Sequence, residues 1–183
     1  MTKNFFRLLI ILMLCFNYSL SKSNINVPGA KNIDWEVVKF ENGMIKATTH
    51  GCGLWAHEFA VAKKKENCSQ TLHAVIFYTD KKVDQSIINK YMNFQITIDN
   101  KTFFRKIQIR IIEPVSLLRT QVIFLNEQID DWLFEALKNG KNVKVEMIGP
   151  QEYLKFFVLQ EEKFSLAGFN DSVIKANKIC REN

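Results

Sequence analysis

The chain has 183 residues, with 25 lysines and arginines against 19 aspartates and glutamates. Its only basic clusters, Lys63-Lys64-Lys65 and Lys81-Lys82, carry no interleaved aromatics, which reads as solvated turns and excludes a nucleic-acid stripe. The length suits one domain with a real core.

The N-terminus has the layout of an export signal. Lys3 and Arg7 precede or border Leu8 to Phe16, an apolar run of nine residues that matches a signal-peptide core and is too short to span a bilayer. Small residues at Ser19 and Ser21 place cleavage after Ser21. Cys15 follows Leu14 inside the run, which does not fit a lipoprotein. The expected organisation is a signal peptide over 1–21 and a single β-rich exported domain over 22–183, in the periplasm, at the cell surface or secreted. The leader holds two of the 25 basic residues and no acid, so 23 remain against 19, a net +4. No later segment approaches 18 uninterrupted apolar residues, so no transmembrane span is expected in the mature chain.

Alternation with a period of two dominates the mature chain. Trp35 to Phe40 and Met44 to Thr48 read as strands around Glu41-Asn42-Gly43, whose Asn-Gly pair signals a hairpin. Leu54 to Ala62 and Leu72 to Thr79 read as strands separated by a polar loop from Lys63 to Gln70. Asp80 to Lys90 has room for one helical turn. Met92, Phe94, Ile96 and Ile98 alternate with polar residues, and across the turn at Asp99 the residues Phe103, Ile107, Ile109 and Ile111 do the same. Glu113-Pro114 is expected to end that strand, because proline cannot donate to a ladder. Leu118 to Leu125 is the next strand.

A helix is predicted after an Asn126 cap, with acids early, Lys138 late and Gly140 beyond. Ile129, Trp132, Leu133, Ala136 and Leu137 recur at helical spacing. Strands are predicted over Val143 to Met147, over Tyr153 to Leu159 and around Phe164 and Leu166. Asn170 is expected to cap a final helix through Ile179, with Val173, Ile174 and Ala176 on or near its buried face. About nine or ten short strands and two helices, without regular strand–helix alternation, predict an antiparallel β-sandwich or curled barrel with two appended helices.

Three cysteines remain after cleavage, and in an oxidising compartment two should pair. Cys52 with Cys68 is preferred over Cys52 with Cys180, closing a loop of 17 residues and stabilising the fold by about 3 kcal/mol. A straight strand over 53–61 would hold the two about 30 Å apart. The bridge therefore requires a bend near Gly51 and Gly53.

Residues 50–59, "HGCGLWAHEF", gather the remaining candidate chemistry. Papain-like proteases place the nucleophile directly before a tryptophan, where this chain has Leu54. Alternation puts His50 and Cys52 on one strand face and His57 on the other, so the stretch does not form a Cys–His dyad by itself. His50, Cys52 and His57 or His73 supply nitrogen and sulfur, yet they lack the pair spacings of zinc sites. No metal, no cofactor and no catalytic residue is expected. Trp55, His57 and Phe59 share a face as a core or contact patch, and the burial of Trp55 separates the two.

From "FLNEQIDDWLFEALKNGKNVKVEMIG" to the final helix the chain resembles the invasion-associated locus B family of bacterial exported proteins. The likeness rests on Lys138, Gly140-Lys141, Val143, Val145 and Ser165-Leu166-Ala167-Gly168-Phe169, with looser matches at Trp35-x-Val37 and around Cys68 and Gln70. It covers about a third of the chain. The family's cysteine after the first tryptophan is absent, since Lys39 and Phe40 stand there, as is a second mid-chain pair. Its disulfide framework therefore does not transfer. The resemblance implies a non-enzymatic β-sandwich at the periplasm or outer surface, linked with host-cell invasion through a protein or cell-envelope partner. The alternative reading is a small secreted hydrolase or metal-binding protein using Cys52 with His50 or His73. Oligomeric state is not specified by the sequence.

Overall fold

The computed structural model describes residues 35–51, 55–126 and 128–182. The expected signal peptide and its cleavage site lie outside them, as does Cys52. The domain is mainly β: nine strands form one antiparallel sheet in the order β1-β2-β3-β4-β7-β6-β5-β8-β9. These are β1 (Trp35–Lys39), β2 (Met44–His50), β3 (Glu58–Lys64), β4 (Asn67–Thr79), β5 (Tyr91–Ile98), β6 (Lys101–Ser116), β7 (Arg119–Asn126), β8 (Asn142–Gly149) and β9 (Glu161–Ser165). Helix α1 (Asp131–Asn139), the single turn α2 (Gln151–Leu154) and helix α3 (Phe169–Arg181) complete it. The sheet does not close through a ladder, but it curls until its two edges meet: Trp35 Nε1 on β1 donates to the carbonyl of Ser165 on β9 at 2.9 Å.

Strand alternation builds the interior of the curl. Phe59, Phe77, Phe94, Phe124 and Phe164 are all fully buried, and Phe124 lies edge-on to Phe94 at 5.0 Å. Such rings contribute roughly 1.5–3 kcal/mol each by burial alone. The β1–β2 hairpin turns as its Asn-Gly pair predicts. Gly43 takes a φ of 79°, the left-handed region that glycine enters without penalty, and Asn42 Oδ1 accepts from the Met44 amide.

Several boundaries differ from expectation. The polar loop over 63–70 is a tight hairpin, because Lys64 pairs with Asn67 and strand structure runs through on both sides. Lys63 stays in β3, 6% exposed, its Nζ donating to the Cys68 carbonyl and to Thr71 Oγ1. Asp80 to Lys90 does hold one turn, a 3₁₀ segment over Gln85–Ile87 capped by Asp84. Strand β6 continues through Pro114. Its pairing with β5 ends at Gln108, and the register to β7 shifts between Pro114 and Ser116, so the missing N–H falls where β5 no longer pairs.

Asn126 does not cap a helix. It ends β7 opposite His73, and the Ile129 amide still follows β4 by donating to Thr71 O, so α1 starts only after Asp130. Tyr153 to Leu159 is not a strand. Buried Leu154 and Phe157 are three residues apart, a helical-turn spacing, and the Phe157 amide closes that turn on the Leu154 carbonyl. Helix α3 begins at Phe169, with Gly168 at φ 86° as its N-cap. Asn170 instead donates its side-chain amide to the Lys138 carbonyl of α1. Val173 and Ala176 are buried as expected, whereas Ile174 is 66% exposed.

The disulfide is a correction with a topological reason. Cys68 is bonded to Cys180, not to Cys52. Gly51 lies beside the start of β3 and Cys68 beside its end, because β3 runs from Glu58 to Lys64 and turns directly into β4. Those ends are separated by about 20 Å of strand. Cys180, 2% exposed in the last turn of α3, packs with Ile45 and Ala176 over the β4 start and is within reach.

Candidate functional site

Residues 55–57 form a loop and not a strand. Strand β3 begins four residues later than expected. Ala56 takes a left-handed backbone with φ 47°, and the Gly51 amide closes the loop on the His57 carbonyl at 2.8 Å. Trp55 therefore leaves the strand face it was expected to share with Phe59. It is half-buried, and its carbonyl accepts from Arg119. His57 and Phe59 are 0% exposed, so neither forms a contact surface. His57 packs its ring 4.4 Å from Phe77, and Phe59 packs against Trp35, His73 and Phe164.

The two histidines considered as partners of Cys52 lie on opposite faces of the sheet. His50 is opposite Glu58 and His73 opposite Val61; Glu58 and Val61 are three apart on one strand and so face opposite ways. His50 is 3.6 Å from the Glu36 carboxylate at the surface. His73 is 1% exposed, and its Nε2 has no protein hydrogen-bond partner. Burial, reinforced by the Arg105 charge, lowers its pKa to about 4. His57 is lowered to about 4 in the same way, by burial and then by Arg119. Both are neutral core side chains. Among the described residues, no group of three or more His, Cys, Asp or Glu is placed to hold a metal ion.

The densest polar constellation centres on Glu58, which lies within the 50–59 stretch but is not among the side chains singled out there, and its partners lie outside that stretch. Lys46 and Thr48 on β2, Glu58 on β3 and Tyr78 on β4 converge on the outer face of the sheet. Glu58 is 7% exposed. Its Oε1 accepts from Tyr78 Oη at 2.5 Å, and its Oε2 accepts from Lys46 Nζ at 2.8 Å and Thr48 Oγ1 at 3.3 Å. The Arg119 guanidinium lies 3.9 Å from the centre of the Tyr78 ring, and the Tyr78 amide donates to His57 Nδ1 at 3.1 Å. Burial raises the carboxyl pKa of Glu58, but the hydrogen bonds from Lys46 and Tyr78 outweigh it and hold the group below its ordinary value. Burial and the bond to Glu58 push the Tyr78 phenol well above its own.

This arrangement is a neutralised buried pair with its acceptor sites occupied. Such a carboxylate is a weak proton acceptor, so it serves packing better than general-base chemistry. Replacing Tyr78→Phe deletes one donor and leaves Oε1 unpaired, and the expected cost is about 1–3 kcal/mol at neutral pH. Chemical denaturation should show that loss shrinking as pH falls and Glu58 takes a proton. The sequence signal is present as alternate polar positions in three strands, but recognising it requires the register.

One further concavity, about 450 Å³, is lined by Lys90, Tyr91, Asn93, Lys106, Pro150 and Tyr153 among others. Lys106 Nζ stands 5.1 Å from the Tyr91 ring. Its lysines, phenols and amides suit a hydroxyl-rich or anionic group, without a nucleophile and base in hydrogen-bond contact.

No protein-family model, no curated protein and no solved structure matches the chain.

Proposed function

We propose that the chain is an exported, non-enzymatic interaction protein of the cell envelope, which acts by binding a protein partner and supports contact with a host cell. The observation that carries this reading is the Cys68–Cys180 bond, which joins β4 to the last helix across 112 residues. A structural bond of that reach is useful where the compartment is oxidising. The apolar run Leu8 to Phe16 supports export, and the C-terminal resemblance to the invasion-associated locus B family supports the envelope and host-contact assignment. Among the described residues, no helix is long and apolar enough to cross a membrane.

The non-enzymatic part is supported by the separation of His50 and His73 on opposite sheet faces and by the burial of His57 and His73. A surface suited to a protein partner exists elsewhere. Trp132 is 47% exposed, with the Arg105 guanidinium 4.1 Å from its ring and the Asp130 carboxylate 2.6 Å from that guanidinium. Tryptophan and arginine are the side chains that most often carry binding energy between proteins.

Fractionation of the source cells, with N-terminal sequencing of the purified chain, tests this. The expected result is a chain outside the cytoplasm that begins at Lys22. A chain that keeps Met1 in the reducing cytoplasm overturns export. A hydrolytic turnover lost in Cys52→Ser overturns the non-enzymatic reading.

A further inference from the structure

The β6–β7 hairpin ends in an unusual tip. The last ladder pair between β4 and β7 is Thr79 with Thr120, and the last between β5 and β6 is Tyr91 with Gln108. Pro114 is level with Thr79 through Thr120, and the segment from Val115 to Arg119 extends past the neighbouring strands. A turn in that position ordinarily carries Asn, Gly, Asp or Ser. Here it carries Leu117 and Leu118, which are 104% and 80% exposed, with Val115 at 53% behind them. Among the described large hydrophobic residues, no side chain is more exposed than Leu117.

Cations surround the base of this tip. Arg119 follows Leu118 directly and is held by the Trp55 carbonyl and the Tyr78 ring. Lys81 and Lys82 follow Thr79, the residue opposite Thr120, and Lys81 Nζ donates to the Lys155 carbonyl, which brings the 155–159 segment to the same end. That segment adds Lys155 and the exposed Val158 and Leu159, at 45% and 37%. Three carboxylates share the region: Asp80, Asp84, which lies within reach of the Lys155 and Lys82 charges, and Glu113, whose Oε1 accepts from the Gln121 side-chain amide. The four cations Lys81, Lys82, Arg119 and Lys155 outnumber them by one.

We infer that this end of the sheet docks onto an anionic lipid surface, with Leu117 and Leu118 entering the headgroup boundary, Lys81, Lys82 and Lys155 facing the acidic headgroups, and Arg119 adding positive charge from its place over the Tyr78 ring. A convex aliphatic point with a cationic collar combines the two terms that drive interfacial lipid binding. A protein partner is the weaker fit. Leucine and valine are sparse among energetic contact residues, and a two-residue tip offers far less than the roughly 800 Å² a stable interface takes from each side. The insertion is shallow, because the turn's backbone groups need the hydrated headgroup layer and cannot enter the hydrocarbon. This inference does not depend on the protein-binding function proposed above.

The test is vesicle co-sedimentation of the full oxidised domain, comparing pure phosphatidylcholine with vesicles containing about a third phosphatidylglycerol. Binding is expected on the anionic vesicles, weakening as salt is raised. The double variant Leu117→Ser with Leu118→Ser is expected to lower vesicle affinity at least roughly tenfold. It should leave the melting temperature unchanged, since both side chains are solvent-exposed. Lys81→Gln with Lys82→Gln should weaken binding and flatten its salt dependence. Absence of binding to anionic vesicles overturns the inference, as does equal binding by the leucine variant. Concentration-dependent self-association that the leucine variant abolishes, without vesicle binding, also overturns it and assigns the tip to a protein contact.

Discussion

Reduction of the Cys68–Cys180 bond lowers the unfolding free energy by about 3–5 kcal/mol. Chain-entropy reasoning gives roughly 4.7 kcal/mol for a loop of about a hundred residues, and this bond spans 112. The folded state supplies the local mechanism. Cys180 holds the last turn of α3, which buries Val173 and Ala176, over the start of β4 beside Ile45. Without the bond the helix frays from its C-terminus, and Ile45 loses its cover. Urea denaturation with and without reductant measures the effect. Cys180→Ala should unfold at the midpoint of the reduced parent and should not respond to reductant. A midpoint unchanged by reduction would show that the bond closes nothing the packing does not already hold.

Acid is expected to unfold the domain through its two buried histidines. Both are neutral in the folded state down to about pH 4, where burial and the neighbouring Arg119 and Arg105 charges have placed their pKa values. In the unfolded chain they protonate near the ordinary value of 6.5. Between those limits the unfolded chain takes up protons and the folded domain does not, so stability falls as pH drops. The slope is about 1.4 kcal/mol per pH unit for each histidine, or on the order of 3 kcal/mol each by about pH 4. His73→Leu removes one of them along with a buried Nε2 that has no protein partner. The variant should lose roughly half of the acid dependence when denaturation midpoints are compared at about pH 7 and pH 5. An identical slope in parent and variant would locate the acid sensitivity elsewhere.

The fold class is legible in the sequence because the period of two survives in the strands that build the core. Met92, Phe94, Ile96 and Ile98 alternate into the interior as written, and Asn42-Gly43 turns the first hairpin as its dipeptide predicts. What is not legible depends on contacts between distant segments. Asn126 has the chemistry of a helix cap, but its place opposite His73 keeps it in the sheet. Leu154 and Phe157 fit a strand by composition, and only their common burial reveals a turn. Pro114 does not end its strand, because pairing to β5 has already stopped at Gln108 and the missing N–H faces no partner there, while pairing to β7 runs on to Ser116.

The candidate site divides along the same line. The decapeptide stands out because Cys, His and Trp are uncommon, yet His57 and Phe59 prove to be core and Trp55 sits half-buried in a loop. The network around Glu58 does not stand out even though Glu58 belongs to the decapeptide, because its partners Lys46, Thr48 and Tyr78 are ordinary residues until three strands bring them together. Cysteine pairing is misread for a related reason. Sequence proximity favours Cys52 with Cys68, whereas β3 separates the corresponding ends and α3 returns Cys180 to β4.

The central claim, a β domain closed by a bond between its last helix and β4, is tested most directly by peptide mapping of the native chain without reductant, after blocking free thiols. The account predicts one cross-linked peptide pair containing Cys68 and Cys180, with Cys52 recovered in alkylated form. A Cys52–Cys68 pair, or alkylation of all three cysteines, would contradict it.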